Sequence, residues 1–210
     1  AMFIIALDYL LEMAPDSPQA SRWKSLREGI ERNVRAHLWD EKRQKFIPHI
    51  YPEKSPIPEG FDELAIHYHG GTAIAIEAGL LSKDEIRTVN AQMLENVRLS
   101  GMPSIGLTLY PVYPDGFFHG GMSKAYLYQN GGDWTWFGGR MIQQLVVNGM
   151  VEEAYAEIHP MIERVIQNDG FYEWYGKGGV PSGSGNFKGS AGVLSKAIEL
   201  LRDWAEKNKS

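Results

Sequence analysis

The 210-residue chain has no cysteine. That excludes disulfide bridges and thiolate metal sites, and it leaves the redox compartment open. It has no run of lysine and arginine, and its formal net charge is -5. Nucleic acid needs a basic face and an anionic membrane needs a basic cluster, so neither is an expected partner. The longest apolar run is far too short to span a bilayer. The N-terminal run Phe3–Leu7 lacks a basic segment ahead of it and meets Asp8 and Glu12, unlike a secretion signal. Ala1 ahead of Met2 reads as an added residue, which sets the expected start at Met2 and the expected location in the cytoplasm.

What the chain has in abundance is aromatic residues: 6 Trp, 10 Tyr and 8 Phe. They concentrate with glycines and isolated carboxylates in two stretches. The first runs from Gln129 through Asn130-Gly131-Gly132-Asp133-Trp134-Thr135-Trp136 to Gly139. The second holds Phe171-Tyr172-Glu173-Trp174-Tyr175, then Gly178 to Gly185, Phe187 and Ser190-Ala191. Sugar sites need this mixture: flat rings stack on pyranose faces, carboxylates and amides bond hydroxyls, and glycines admit close backbone approach.

Elsewhere the period is helical. Phe3, Leu7, Leu10 and Leu11 form one stripe; Trp23, Leu26, Ile30, Val34 and Leu38 form another behind Asp16-Ser17-Pro18, a cap and first-turn proline. The spacing predicts helices over about Leu64–Ala78, after the capping box Ser82–Glu85, over Trp134–Val147, over Glu152–Gln167 with a break or kink at Pro160, and over Lys188–Glu206 with Val193, Leu194, Ala197, Leu201 and Trp204 inward. Gly79-Leu80-Leu81 and Gly149-Met150-Val151 are matching helix stops 70 residues apart. The chain therefore reads as one all-α domain, residues 1–210, of helical hairpins joined by long loops that gather at one end, with short β pieces near Gly106–Val112.

From the residues alone, Glu173 is either a catalytic carboxylate held between Tyr172 and Trp174 or a local cap or pair. Asp133 is a helix N-cap or a sugar-hydroxyl ligand. Gln129 and Asn130 are hydroxyl partners or turn formers, and Trp134, Trp136, Tyr172, Trp174 and Tyr175 divide between stacking platforms and core. His67 and His69 do not share a helix face and have no companion carboxylate. Ser182 to Gly185 lacks the ending of a phosphate-binding loop, so no metal or cofactor is expected.

The two motifs, Asn130-Gly131-Gly132-x-Trp134-x-Trp136 and Glu173-x-Tyr175 with the glycine turn and Ser190-Ala191, resemble the C-terminal half of the six-hairpin (α/α)6-barrel glycoside hydrolases. The likeness is to the branch of glycogen-debranching-like enzymes and processing α-glucosidases. The resemblance implies an incomplete (α/α)6 toroid with Glu173 as the base that activates water in inverting hydrolysis of an oligosaccharide. It also implies that the acid comes from an earlier hairpin, in the half this chain does not contain. Two further readings stand beside the hydrolase: a non-catalytic carbohydrate-binding element without the acid, and a helical scaffold. A toroid cut in half leaves an apolar edge at the first helix, Phe3 to Met13. The expected partners are a second copy or a separate first half, with Phe3, Ile4 and Leu7 at the interface.

Overall fold

The computed structural model describes residues 1–209. Among them are seven helices: α1 Met2–Met13, α2 Ala20–Leu38, α3 His69–Glu77, α4 Lys83–Ser100, α5 Thr135–Val147, α6 Val151–Gln167 and α7 Lys188–Lys207. Three two-residue antiparallel ladders decorate the loops: β1 Trp39–Asp40 with β2 Lys45–Phe46, β3 His67–Tyr68 with β4 Leu109–Tyr110, and β5 Trp174–Tyr175 with β6 Pro181–Ser182.

The helices form two layers. α1, α3, α5 and α7 lie side by side in that order as the inner layer. The outer layer is α2, α4 and α6. Arg35 of α2 reaches Glu85 of α4 at 2.7 Å, and Asn90 of α4 reaches Glu157 of α6 at 2.8 Å. One continuous apolar core runs between the layers, from Ile4 through Ile76, Met93, Ile142 and Met161 to Leu194. Close approach of inner helices is set by Gly139 on α5, where a Cβ would come within 3.3 Å of the α7 main chain at Val193. The fold is thus an all-α hairpin array, an arc of a toroid.

Local chemistry sets most of the helix ends. Ser82 accepts from the Glu85 amide while the Glu85 carboxylate accepts from the Ser82 amide, a complete capping box. Gly79 and Gly149 stop α3 and α5 in the left-handed region, at φ 71° and 81°.

Four expectations are corrected. Leu64–Ala78 is not one helix, because His67 and Tyr68 are drawn into the β3–β4 ladder and α3 starts only at His69. α2 begins at Ala20 rather than at Pro18; the Ser17 hydroxyl accepts from the Gln19 amide in the preceding turn. α6 runs unbroken through Pro160, since its ladder tolerates the one missing N–H donor. Trp204 faces outward, lining a surface groove with Tyr155 and Ile198, because α7 has no neighbour beyond α6 on that side.

Glu157 is a carboxylic acid buried between the outer helices α4 and α6. Burial raises its pKa to about 7, against the opposing hydrogen bond from Asn90. Glu157 Oε2 and Asn90 Oδ1 both lack a partner among the described residues. The folded state therefore holds the carboxyl proton more tightly than the unfolded chain. The contribution of Glu157 to stability is fully present below about pH 4.5, is lost as pH rises from about 4.5 to about 7, and levels off above; its span is about 3 kcal/mol. Urea unfolding across that range should show wild type losing about this much stability relative to Glu157→Gln as pH rises.

Candidate functional site

The loops that enter the inner helices are tied together by an irregular strand ladder. The His69 amide donates to Thr108 O (3.0 Å), the Thr108 amide to Gly132 O (2.9 Å), and the Trp134 amide to Gly106 O (2.8 Å). Asp133 and Tyr175 then exchange both main-chain bonds at 2.9 and 2.8 Å, and β5 continues to β6. The loop before α3 contributes one strand (β3), the loop before α5 two (β4 and the segment 132–134), and the loop before α7 two (β5 and β6). The ladder crosses from β3 to β5 in three steps, about 14 Å at the usual strand spacing.

Glu173 lies at one end. Its amide donates to Ser184 O at 2.9 Å, which extends the β5–β6 pairing by one residue. Its carboxylate meets only two distant donors among the described residues, the Tyr128 hydroxyl at 3.5 Å and the Ser184 amide at 3.4 Å, and no cation pairs with it. Gly183, at φ 72°, is where the chain passes the carboxylate; a Cβ there would fall 2.5 Å from Glu173 Oε2. Trp174 is half-buried beside Gly132, and its ring meets Tyr128 edge-on at 6.3 Å. Tyr128 in turn meets Trp134 at 4.9 Å, and its carbonyl accepts from the Trp134 indole at 3.2 Å. Tyr128 holds φ 48°, a conformation that costs a bulky L-residue about 1–2 kcal/mol. The cost is offset by the contacts of its ring, hydroxyl and carbonyl. Sequence reasoning missed Tyr128, which stands one residue ahead of the first motif; Gly183 and Ser184 fell within the glycine turn of the second motif but without a contact to Glu173 assigned to them.

Several candidates lie elsewhere. Asp133 is neither an N-cap nor surface-facing. Trp134 occupies the cap position of α5, and Asp133 is fully buried, accepting from Ser104 Oγ at 2.9 and 2.7 Å and pairing with Arg164 at 2.7 Å. Arg164 also donates to Thr135 Oγ1 and covers the buried Tyr175 ring at 4.1 Å. With both oxygens enclosed, Asp133 presents none to a sugar. Asn130 is buried too. Its Oδ1 accepts from the Tyr113 amide, and its Nδ2 donates to Tyr113 O, which makes it the clamp of the 113–130 loop. Trp134 and Tyr175 are core residues. Tyr172 is half-buried with its ring over Gly185. Trp136 stacks with the Arg140 guanidinium (4.4 Å), which pairs with Glu77 of α3, so it bridges inner helices. Gln129 is exposed, with only its carbonyl engaged, by Thr108. The residues brought together at Glu173 are therefore Tyr128 and Trp174, with Trp134 behind them.

A second carboxylate occupies the far end of the ladder. Glu63 Oε1 accepts from Tyr113 (2.7 Å), Tyr51 (2.8 Å) and His49 Nδ1 (2.7 Å), and the Tyr68 hydroxyl of β3 donates to Tyr113 at 3.1 Å. Burial raises the Glu63 pKa, but the bonds from Tyr113, His49 and Tyr51 outweigh it and hold the group below the ordinary carboxylate value. Burial, then Glu63, pushes Tyr51 up to about 12. Glu63 is thus kept ionised, the opposite of what a general acid needs.

No family model matches the sequence, and no curated protein matches it. Solved structures do match. Among them is the GH63 mannosylglycerate hydrolase from Thermus thermophilus, solved with Tris and D-glycerate, with a TM-score of 0.61 at 16% identity over 94% of this chain. The chain spans 43% of the length of that relative. The fold is therefore that of a helical toroid, shared with that structure. The match is to a GH63 hydrolase, and it does not support the debranching branch.

Proposed function

We propose that this chain is the base-bearing half of an inverting glycoside hydrolase acting on an oligosaccharide, with Glu173 as the base. The observation that carries this reading is the Glu173 carboxylate, which has no counter-ion among the described residues and sits between Trp174 and Tyr128 at the loop-rich end of a glycosidase-like arc. An unpaired carboxylate beside rings is free to hold a water against a stacked sugar. Inversion also requires an acid, with the two carboxyl groups roughly 6.5–9.5 Å apart. Asp133 is enclosed and Glu63 is ionised and several rungs away, so neither fits that role. The same observation favours the second reading, a carbohydrate-binding element without hydrolysis of its own. Screening α- and β-linked oligosaccharides for hydrolysis and for binding separates the two, with Glu173→Gln as the control.

We propose further that the missing acid arrives with a partner along the α1 edge, either a second copy or a separate first half. Ile4 and Leu7 are buried within the chain, so the interface cannot centre on them as the sequence suggested. Phe3, at 56% exposure, is among the large apolar side chains that α1 leaves exposed, with Met2, Tyr9 and Met13. Light scattering at tens of micromolar should show a dimer, and Phe3→Glu with Tyr9→Lys should return it to monomer. A monomer under these conditions would exclude the second copy.

A further inference from the structure

A groove on the outer face, away from Glu173, holds a buried cation without a counter-ion. It lies between the β1–β2 hairpin and α4, has a volume of about 770 Å³, and is lined by Arg43, Lys45, His67, Thr88, Gln92 and Asn96 among others. We propose that this groove binds a small oxyanion, a carboxylate or a phosphate, on the ammonium of Lys45 and the ring N–H of His67.

Lys45 is only 3% exposed. An ammonium has three donors, and the one hydrogen bond Lys45 makes among the described residues is to the Ile66 carbonyl. Lysine is almost never this buried unless paired. The nearby acids are committed elsewhere. Asp40 holds Arg43, at 2.8 Å through the guanidinium and 2.9 Å through the amide. Glu95, on the groove wall, takes both arms of Arg98. Asp62 is exposed on the surface and touches Lys45 in no ion pair. The remaining ionisable neighbours are Arg43, of like charge, and His67, whose ring makes no hydrogen bond among the described residues.

Burial first, and then the charge of Arg43, lower the Lys45 pKa to about 8, with Asp40 and Asp62 opposing. Burial, then Lys45, lowers His67 to about 4, so its ring is neutral and offers one N–H. Gln92 spends its amide nitrogen on the Arg43 carbonyl at 2.9 Å. At neutral pH the groove therefore contains one ammonium, mostly charged, and one unspent imidazole donor. An uncompensated buried ion costs several kcal/mol, and a bound anion removes that cost. The chain as a whole carries a net charge of -5, which disfavours anions in general. Saturable anion binding would therefore have to come from a site rather than from a diffuse field. The groove lies on the outer layer at α4, so its failure would leave the Glu173 reading untouched.

The test uses the full chain, titrated at pH 7 and constant ionic strength with sodium phosphate in one arm and sodium acetate in the other, against sodium chloride. Thermal unfolding and calorimetry are read together. The expected result is a saturable rise in Tm and measurable heat in at least one arm, absent in chloride; the responding arm identifies the head group. Lys45→Met keeps the apolar stem and removes the charge, and it should fold as well as wild type or better while losing at least tenfold in anion affinity. Binding also raises the Lys45 pKa. Calorimetry at pH 8 in two buffers of different ionisation enthalpy should therefore show uptake of up to about half a proton, a readout that needs no variant. No saturable effect of either anion, an equal effect in Lys45→Met, or binding at pH 8 without proton uptake would overturn the proposal.

Discussion

Asp133→Ala is expected to destabilise the fold by about 3–5 kcal/mol, the cost of removing one partner from a buried ion pair. The carboxylate is fully enclosed, and Arg164, itself 5% exposed, would keep its charge with no counter-ion. The Ser104 hydroxyl would lose both of its acceptors. The damage would reach the site because the Asp133 main chain is the rung that holds Tyr175, two residues from Glu173. For a chain of this length the loss corresponds to a fall in Tm of about 6–20 °C. Asp133→Asn keeps an acceptor for Ser104 and should lose less. Pairing Asp133→Leu with Arg164→Met removes both charges and should recover much of the loss, since uncharged replacements of a buried pair are often tolerated. Chemical denaturation of the four proteins measures this. Equal stability of Asp133→Ala and wild type would mean that the ion pair contributes nothing to the fold.

Glu173→Gln is expected to lower hydrolysis by roughly 10²–10⁴-fold, the usual contribution of a positioned general base. Glutamine keeps the shape and can still accept from the Tyr128 hydroxyl and the Ser184 amide, so the loop stays in place. What it cannot do is accept a proton from water. Because Glu173 is half-buried and pairs with no cation, its stability should stay within about 0.5 kcal/mol of wild type. Oligosaccharide binding through Trp174 should persist. Reduced rate with retained affinity and fold separates a base from a residue that only shapes the loop.

The helices were legible in the sequence because their determinants are local: the apolar period, the Ser82–Glu85 box and the glycine stops at Gly79 and Gly149. The stretch before α3 was misread because His67 and Tyr68 answer to β4, well downstream, and not to their own neighbours. The motif from Gln129 to Trp136 was legible as unusual, but not as divided between clamp, ion pair and core. Asn130 is bound by the loop at Tyr113, and Asp133 by Ser104 and Arg164, all on other stretches of the chain. Glu173, Trp174 and their aromatic surroundings were visible as a group, while Tyr128 was not, because its role depends on a left-handed backbone at a tyrosine. The Glu63 cage and the Lys45 groove gave no sequence signal at all, since their partners come from separate loops and an outer helix.

The central claim is that Glu173 activates water on one face of a sugar. The most direct test is proton NMR of the first-formed product during digestion of whichever oligosaccharide the protein, alone or completed by its partner, cleaves fastest. The account requires that the newly released reducing end first appear as the anomer opposite to that of the bond cleaved, and that this signal disappear in Glu173→Gln. A first product of the same anomer as the substrate bond, or inverted product formed at full rate by Glu173→Gln, would contradict it.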